Sequence, residues 1–441
     1  MKRRIFTILA LAALALGAAG NASATGFSIY EAGSRATALG CAFTATADDA
    51  SAMFYNAAGL SFMEGQRLDL NAMVIRPDFK FSGWLSQTDY ASGADPETGQ
   101  AESKSYIVPG IGYTSNKGGD IAWGVGVYAP FGLGVVWEDP ETWVGRRISH
   151  DVQIETIYVT PGISYKATPE LAVALGLDFA YQKLALKKYT PEPDFGQNAI
   201  HTEIEGSSKI NVTPSLGLMY RPDDKLSIGA MYHFKKTMKF EDQDATLDPL
   251  SPMSPAGDPL PWGQNLVNGL GGSAQTVGTE LELPSILSLG LSYRLTPALR
   301  AEVNYVRFGW GSLEGLDLDF TNDNLDQSIH LGYEDSWQIR AGVEYAVNEQ
   351  WVLMGGYVKD NSPQPTESVS PLLPDSDRND YSFGVMYRGD KWDVNASYMA
   401  VIGDERSNIE NGEPVRNTAD YPIGNYSALA NIFGVGFTYH F

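Results

Sequence analysis

Apolar side chains recur at every second position in segments of roughly ten residues along this 441-residue chain. The pattern is clearest at the C-terminus, where one face of a predicted strand carries Phe433, Val435, Phe437, Tyr439 and Phe441. The same alternation runs through residues 226–234, 299–305, 337–345 and 392–398. Successive side chains of a β-strand point to opposite faces, so the pattern predicts many strands with one apolar face each.

A soluble sandwich and a membrane barrel both alternate in this way, but their connections differ. Six connections are short turns, at residues 116–119, 168–169, 222–224, 296–297, 348–349 and 389–390. Seven are long and polar, near residues 82–104, 131–150, 190–207, 241–278, 314–334, 361–379 and 403–428. Aromatic residues also lie near the ends of the apolar faces, as interfacial girdles require. We therefore predict an all-β fold, a transmembrane antiparallel β-barrel of about 14 strands.

The first 24 residues have the features of an export signal. Basic residues at 2–4 precede an apolar run over residues 5–16, and residues 22–24 fit a small-residue cleavage site. No later apolar run reaches 18 residues, so no membrane helix is expected. The net charge of -22, from 31 basic and 53 acidic residues, excludes a nucleic-acid partner. A single cysteine excludes an internal disulfide framework.

Residues 25–65 precede the first predicted strand and do not alternate. They are rich in Gly, Ala and Ser, and they contain Asp48, Asp49 and Asn56. Such a segment is either disordered or folded inside the lumen. A plug is physically reasonable, because fourteen strands enclose more space than their own side chains fill.

Three N-terminal segments resemble the start of the FadL family of outer-membrane transporters. They read TGFSIYEAGSR at residues 25–35, TADDAS at 46–51 and FYNAAGL at 54–60. Weaker similarities follow in the family's order: YAPFGL at 128–133, Leu283-Pro284, DNSP at 360–363, LPD at 373–375, and the terminal strand. The family carries long-chain fatty acids and, in some branches, aromatic hydrocarbons.

The resemblance implies a signal peptide at 1–24, an N-terminal plug at 25–65 and a transmembrane β-barrel at 66–441. The plug residues that match the family motif are Asp48, Asp49, Asn56, Ala57 and Ala58. The family usually has Asn-Pro-Ala where this chain has Asn56-Ala57-Ala58, and the missing proline loosens the local backbone. Ligand is expected to bind an external groove, enter an apolar pocket and leave after plug movement.

The family's third strand bends inward and opens a lateral gap toward the bilayer. The matching residues here are Tyr128, Pro130, Phe131 and Gly132. Pro130 has no N–H to give to the ladder, and Gly132 tolerates unusual backbone angles. The alternative is that Pro130 simply ends the strand at the start of its loop.

Ligand contacts are predicted at apolar positions that face the lumen, since those positions would otherwise be wet. They are Met219, Met231, Val352, Met354, Val358 and Met386, each of which could instead pack against the plug. Lys183 is the expected partner of a carboxylate headgroup, because it aligns roughly with a basic family position; Arg340 and Arg294 are alternatives. Trp262 is predicted to contact ligand as one of the apolar residues of the 241–278 loop, which is the candidate external groove.

The sequence thus predicts a protein of the bacterial outer membrane that takes up hydrophobic compounds, most favourably long-chain fatty acids. Alternatives are an aromatic-hydrocarbon channel, a surface enzyme or adhesin, and a general porin. No catalytic motif, cofactor or metal-binding pattern is recognised. The loop acids between Asp317 and Asp326 could bind calcium, but their spacing matches no known calcium loop, and a solvated acidic face is favoured. Expected partners are outer-membrane lipid, lipopolysaccharide and the barrel-assembly machinery, and we expect a monomer.

Overall fold

The computed structural model describes residues 26–415 and 421–441, so the predicted signal peptide at 1–24 lies outside the described residues. Fourteen antiparallel strands form a closed barrel in which each strand pairs with its sequence neighbours and the last pairs with the first. The first seven are β1 Gly65–Trp84, β2 Tyr106–Asn116, β3 Ile121–Tyr128, β4 Asp151–Lys166, β5 Leu171–Pro191, β6 Asn211–Tyr220 and β7 Leu226–His233. The others are β8 Ile286–Thr296, β9 Leu299–Phe308, β10 Ser336–Ala346, β11 Trp351–Asp360, β12 Arg378–Arg388, β13 Trp392–Gly403 and β14 Ile423–His440.

Smaller helices, turns and strands lie inside the barrel and in its long connections. The helices are α1 Ser34–Ala38, α2 Ala52–Tyr55, α3 Gln87–Ser92 and α4 Trp262–Gly269, with 3-10 turns at Ala57–Phe62, Trp310–Ser312, Asp323–Leu325 and Thr366–Ser368. Additional strands are Glu97–Gln100, Gly132–Val136, Asn198–Ser207, Lys236–Pro249, Ala274–Leu283, Gly315–Phe320, Gln327–His330, Arg406–Ser407, Ile409–Glu410 and Glu413–Pro414. No described helix is long and apolar enough to cross a bilayer.

All six short turns predicted from the sequence join barrel strands at one end. The prediction of loops at 190–207 and 241–278 was wrong in part. The strand Asn198–Ser207 pairs with the upper part of β5, and Lys236–Pro249 pairs with Ala274–Leu283. These strands lie above the bilayer, where their outward faces carry charge, so the sequence pattern there does not look like a membrane strand.

The outer face of the wall follows the alternation that the sequence displays. On β5, Val173, Leu175, Leu177 and Phe179 are all exposed and apolar, and Lys183 is the first charged residue above them on that face. Exposed aromatic residues mark the level of the short turns: Trp123, Tyr165, Tyr220, Tyr293, Tyr345, Trp351 and Trp392. This arrangement is a lipid-facing apolar band with an interfacial aromatic girdle.

Residues 26–64 lie inside the barrel, and most of their side chains are buried. Glycines on the wall allow the plug to approach closely. A Cβ on Gly342 or Gly356 would come within 2.5 Å of the backbone at Leu39 or Gly40. The barrel begins at Gly65, immediately after this segment.

Candidate functional site

The hydrogen-bonded wall is interrupted between β2 and β3. Their pairing runs from Ser115–Trp123 only as far as Ile111–Val127. Continuing that register would place Pro109 opposite Ala129, but the described residues form no such pair. Pro109 and Pro130 both lack an N–H, so neither can donate to a ladder at this level.

β3 itself breaks at the predicted position. Tyr128 still pairs with Tyr158 of β4, and the strand resumes at Gly132 opposite Glu155, so residues 129–131 span two residues of β4. This local excess is a bulge, which bends the chain away from the neighbouring strand. Pro130 therefore does not simply end the strand, because Gly132–Val136 continues along β4 beyond it.

The plug fills the edge that β2 leaves unpaired. Ile29 N donates to Pro130 O at 2.8 Å, Gly132 N donates to Phe27 O at 2.9 Å, and Ser28 forms an antiparallel bridge with Phe131. The first described plug residues thus act as a short extra strand beside the break.

A cavity of about 560 Å³ lies behind the gap and is called the gap cavity. Phe27, Ile29 and Tyr30 of the plug form its inner side. Ile107 and Ile157 also line it, and their side chains are 72% and 47% exposed on the outer face of the wall. The gap cavity therefore reaches from the lumen to the lipid-facing surface, and its volume falls in the range of small-molecule sites, about 300–1,000 Å³.

A second, smaller cavity of about 70 Å³ lies on the extracellular side and is called the apolar chamber. It is lined by Phe27, Leu133, Val152, Ile154, Leu184, Leu186, Ile204, Leu281, Leu316, Leu318, Ile329, Leu331, Tyr333, Leu372 and Leu373. None of these described lining residues is charged. The two cavities share Phe27, Leu133, Ile154 and Leu373, so Phe27 of the plug stands at their junction.

Aromatic contacts hold the Phe27 ring at this junction. Its centroid lies 4.8 Å from that of Trp310 and 6.0 Å from that of Phe131, both in edge-to-face geometry. Gly26 N donates to Asp375 Oδ2 at 3.1 Å, and Ser362 also donates to Asp375. The two weak family-like motifs at 360–363 and 373–375 therefore meet at the start of the plug.

Arg378 is the cation among the described residues that line the gap cavity. Its Nη2 donates to Asp360 Oδ2 at 2.8 Å. Its Nε is buried and has no hydrogen-bond partner among the described residues. An N–H of this kind can donate to an incoming carboxylate without first losing a protein partner. Arg378 lies within the 361–379 segment that the sequence predicts as a loop, so no sequence pattern pointed to it.

The plug motif residues anchor the plug to the wall rather than lining a cavity. Asp48 accepts from Arg35 at 2.6 Å and from Arg300 at 2.8 Å, and Asp49 Oδ1 accepts from Ser51 N at 2.9 Å. Asn56 Nδ2 donates to Thr44 O and to Leu218 O of β6, both at 2.9 Å. Ala57 and Ala58 begin the 3-10 turn that follows, and Asn56 Oδ1 caps it through Ala58 N at 3.2 Å.

The predicted methionine contacts face inward, yet none belongs to the described lining of either cavity. Met219 packs in a cluster with Met53, Ala57 and Leu60 of the plug. Val352, Met354, Val358 and Met386 share a cluster with Ala38 and Leu39, and Met231 is buried on the inner face of β7. Their positions fit the alternative reading, which is packing against the plug.

The position of Lys183 argues against the prediction that it binds the carboxylate headgroup. It lies on the outward face of β5, across from Glu155 and Ser207, while Gln182 and Leu184 point inward. Arg340 is buried beneath Tyr30, with its guanidinium 4.5 Å from the ring centroid, and Arg294 is exposed near a short turn. Trp262 begins α4 and packs on Ile200, Leu247 and Val267.

A buried polar cluster below the apolar chamber also escaped the sequence analysis. Asp178 accepts from Lys236 Nζ at 3.0 Å and lies 3.2 Å from His233 Nδ1, while His233 Nε2 lies 3.0 Å from Phe54 O. The cluster ties α2 of the plug to three wall elements. Only the fold brings these distant residues together, so no local motif could reveal them.

A closed 14-strand barrel with an internal plug and an apolar cavity defines a transport channel of the bacterial outer membrane. Residues 15–441 match the family model described as outer membrane protein transport protein (OMPP1/FadL/TodX). The chain belongs to this family, as the resemblance predicted.

Similar proteins agree with this assignment. The long-chain fatty acid transport protein of Salmonella typhi is 23% identical over 462 residues, covering all of both chains. A FadL homologue of Pseudomonas aeruginosa has a TM-score of 0.77 at 19% identity, covering 96% of this chain and 100% of that one. The toluene transporter TodX of P. putida has a TM-score of 0.69 at 17% identity, covering 93% and 98%.

Proposed function

We propose that the protein takes up long-chain fatty acids through the apolar chamber, with plug movement and lateral release into the bilayer. The observation that carries this proposal is the continuous lining described above. The chamber and the gap cavity share four side chains, and the gap cavity extends to Ile107 and Ile157 on the lipid-facing surface. A ligand on this path meets an uncharged lining in the chamber and a mixed lining, mostly apolar but with Arg378 and several acids, in the gap cavity.

Lateral release is favoured by the chemistry of the cargo. An acyl chain released into the periplasm would be rehydrated at about 0.8 kcal/mol per methylene, and release into lipid avoids this cost. Withdrawal of residues 27–29 would break the two backbone bonds to Pro130 and Gly132, each worth about 1 kcal/mol net. The same motion would remove Phe27 from the junction, so one displacement joins the cavities and frees the edge of the gap.

The headgroup is proposed to bind Arg378, which lines the gap cavity and whose buried Nε has no hydrogen-bond partner among the described residues. The relatives described as long-chain fatty acid transport proteins support an acid as cargo. The uncharged lining of the apolar chamber favours a second candidate, an aromatic hydrocarbon, in keeping with the toluene transporters among the similar structures.

Paired uptake assays with oleate and toluene separate these candidates. Arg378→Met is combined with Asp360→Asn, which neutralises the carboxylate that Arg378 bonds directly, while the nearby Asp375 and Asp380 keep their hydrogen bonds from Ser362 and Tyr30. Losing a charge-assisted hydrogen bond costs about 1.5–3 kcal/mol, so oleate binding should weaken roughly tenfold to a hundredfold while toluene uptake is unchanged. Lys183→Met, on the outer face, is the matched control and should change neither. Unchanged oleate binding in the double variant would remove Arg378 from the site.

The lateral route is tested by restoring donors on both edges of the gap with Pro109→Val and Pro130→Val. Purified protein should still bind oleate, while uptake by cells should fall, because new ladder bonds close the gap. Gly132 is left unchanged, since a Cβ there would come within 2.6 Å of Ile29 Cδ1 and disturb the plug itself. Normal uptake by this variant would indicate exit through the plug into the periplasm.

The external groove at 241–278, contacts with lipopolysaccharide and the assembly machinery, and the monomeric state stay predictions. For the groove, Met253 and Leu266 remain 50% and 37% exposed, which supports an apolar docking surface near α4. Trp262 is the least suited of the group, because it already packs on the neighbouring strands.

A further inference from the structure

Two histidines from distant parts of the chain face each other above the bilayer. His150 directly precedes β4, and His201 lies in the strand Asn198–Ser207. Their Nε2 atoms are 3.1 Å apart, and both rings lie near the ring of Tyr189, with centroid distances of 5.1 and 4.8 Å. The pair lies well above Lys183, the residue that ends the lipid-facing band on β5.

The separation of the two nitrogens matches the spacing of two ligands on one metal ion. Imidazole nitrogens bind Zn²⁺ at about 2.0–2.1 Å, so two of them at tetrahedral or square-planar angles lie about 2.9–3.4 Å apart. A simple N–H···N hydrogen bond has a similar length, and the two readings make different predictions. Among the described residues no group of three or more His, Cys, Asp or Glu side chains could surround an ion, so water would complete the coordination.

The charges around the pair also bear on metal binding. Asp151 and Glu203 lie near His150 and favour a nearby cation, whereas Lys187 opposes one but is itself paired with Glu203. Neutral imidazole selects Zn²⁺, Cu²⁺ and Ni²⁺ over the hard ions Ca²⁺ and Mg²⁺.

We propose that His150 and His201 form a two-histidine site for a divalent transition-metal ion on the extracellular part of the barrel. The ion would add a link between the segment that ends at His150 and the strand Asn198–Ser207, which Asn198 already joins to Arg146 and Glu141 through side-chain hydrogen bonds. His150 itself is held by the backbone: its N donates to Lys187 O at 3.0 Å, and Trp137 N donates to its O at 2.8 Å. Because Val152, Leu186 and Ile204 beside these segments line the apolar chamber, the bound ion fixes the upper wall of that chamber.

The site is tested with Cu²⁺ as a spectroscopic probe and Zn²⁺ as its competitor, on the purified full-length mature protein without a polyhistidine tag. The wild type should bind one Cu²⁺ at this site with an electron paramagnetic resonance signal split by two nitrogens, and Zn²⁺ should displace it. His150→Gln and His201→Gln keep a hydrogen-bonding side chain but remove an imidazole ligand. Each should lose the two-nitrogen signal and weaken binding by roughly tenfold or more.

His330→Ala provides the control, because His330 is exposed on a different loop strand and should leave the signal unchanged. Heat-modifiable mobility on gels checks that each variant has a folded barrel. His201 is less buried than His150, so His201→Gln disturbs the packing less than His150→Gln does. A two-nitrogen signal that survives His201→Gln, or no binding at about 1 mM Cu²⁺, would reduce the contact to an ordinary hydrogen bond.

Discussion

The two ends of the plug are attached to the barrel by different chemistry. Residues 26–29 are held at the gap by a few backbone hydrogen bonds, the contact to Asp375 and the Phe27 ring. Residues 35–63 are held by an ion-pair network of Arg35, Asp48, Arg300 and Glu344, with N···O distances of 2.6–3.1 Å. The beginning of the plug can therefore leave its site at a small cost in free energy while the rest stays docked.

The largest effect is expected from breaking the strongly held end. Arg35→Met leaves Asp48 with Arg300 alone and Glu344 with Arg300 and the more distant Arg388, at a cost of about 3 kcal/mol, or roughly a hundredfold in the docking equilibrium. Cys41 is the one cysteine of the chain and is fully buried in the plug, so its rate of maleimide labelling reports undocking. That rate should rise about a hundredfold.

Arg388→Met is the control for this variant. Arg388 reaches Glu344 only at 3.6 Å and is 39% exposed, so its loss should change the labelling of Cys41 little. Equal labelling rates for Arg35→Met and wild type would show that packing, not charge, holds this end.

A smaller effect is expected at the weakly held end. Phe27→Leu removes the edge-to-face contacts with Trp310 and Phe131, worth about 0.5–1.5 kcal/mol each. Release of a fluorescent fatty acid from purified protein, followed by stopped flow, should accelerate about tenfold. Labelling of Cys41 should not change, because the ion-paired end stays docked.

Phe43→Leu is the matched substitution in the strongly held end, since Phe43 is fully buried beside Arg35. It should raise Cys41 labelling and leave ligand release unchanged. If the two phenylalanine variants behaved alike, the plug would move as one unit and the contrast between its ends would fail.

The smallest effect is expected from restoring the family's proline with Ala57→Pro. Asn56 has φ -175° and ψ 98°, an extended conformation that is compatible with a following proline, and Ala57 opens a 3-10 turn, where a first-turn proline is tolerated. The plug should gain about 0.4–1 kcal/mol, which slows Cys41 labelling about two- to fivefold. Faster labelling would mean that the ring clashes with its surroundings.

The sequence was sufficient to predict the barrel because alternation and turn chemistry are local signals. The predictions of about 14 strands and of the six short turns are confirmed, and the ladder is interrupted near Pro130, while lateral opening there stays a prediction. The same alternation shows why Lys183 was misplaced. It has the parity of Leu177 and Phe179, which face lipid, so an approximate family alignment was a poorer guide than the pattern itself.

The cavities could not be predicted in the same way. Leu184, Ile204 and Leu281 meet at the apolar chamber from three separate strands, and nothing local in the chain links them. Arg378 was similarly hidden, because its role depends on the distance between the start of β12 and the plug. Such sites follow from the closure of the barrel rather than from any one segment.

The order of assembly is constrained by the contacts of the first described residues. Gly26 bonds to Asp375, and Tyr30 bonds to Asp380, partners about 350 positions later in the chain. These bonds cannot form until β12 has been made, yet β1 and β14 close the ring around them. Because the wall packs closely around the plug, we expect the plug to be enclosed as the wall closes. The contacts that hold the plug in the ligand path would then also reflect the order in which the barrel was assembled.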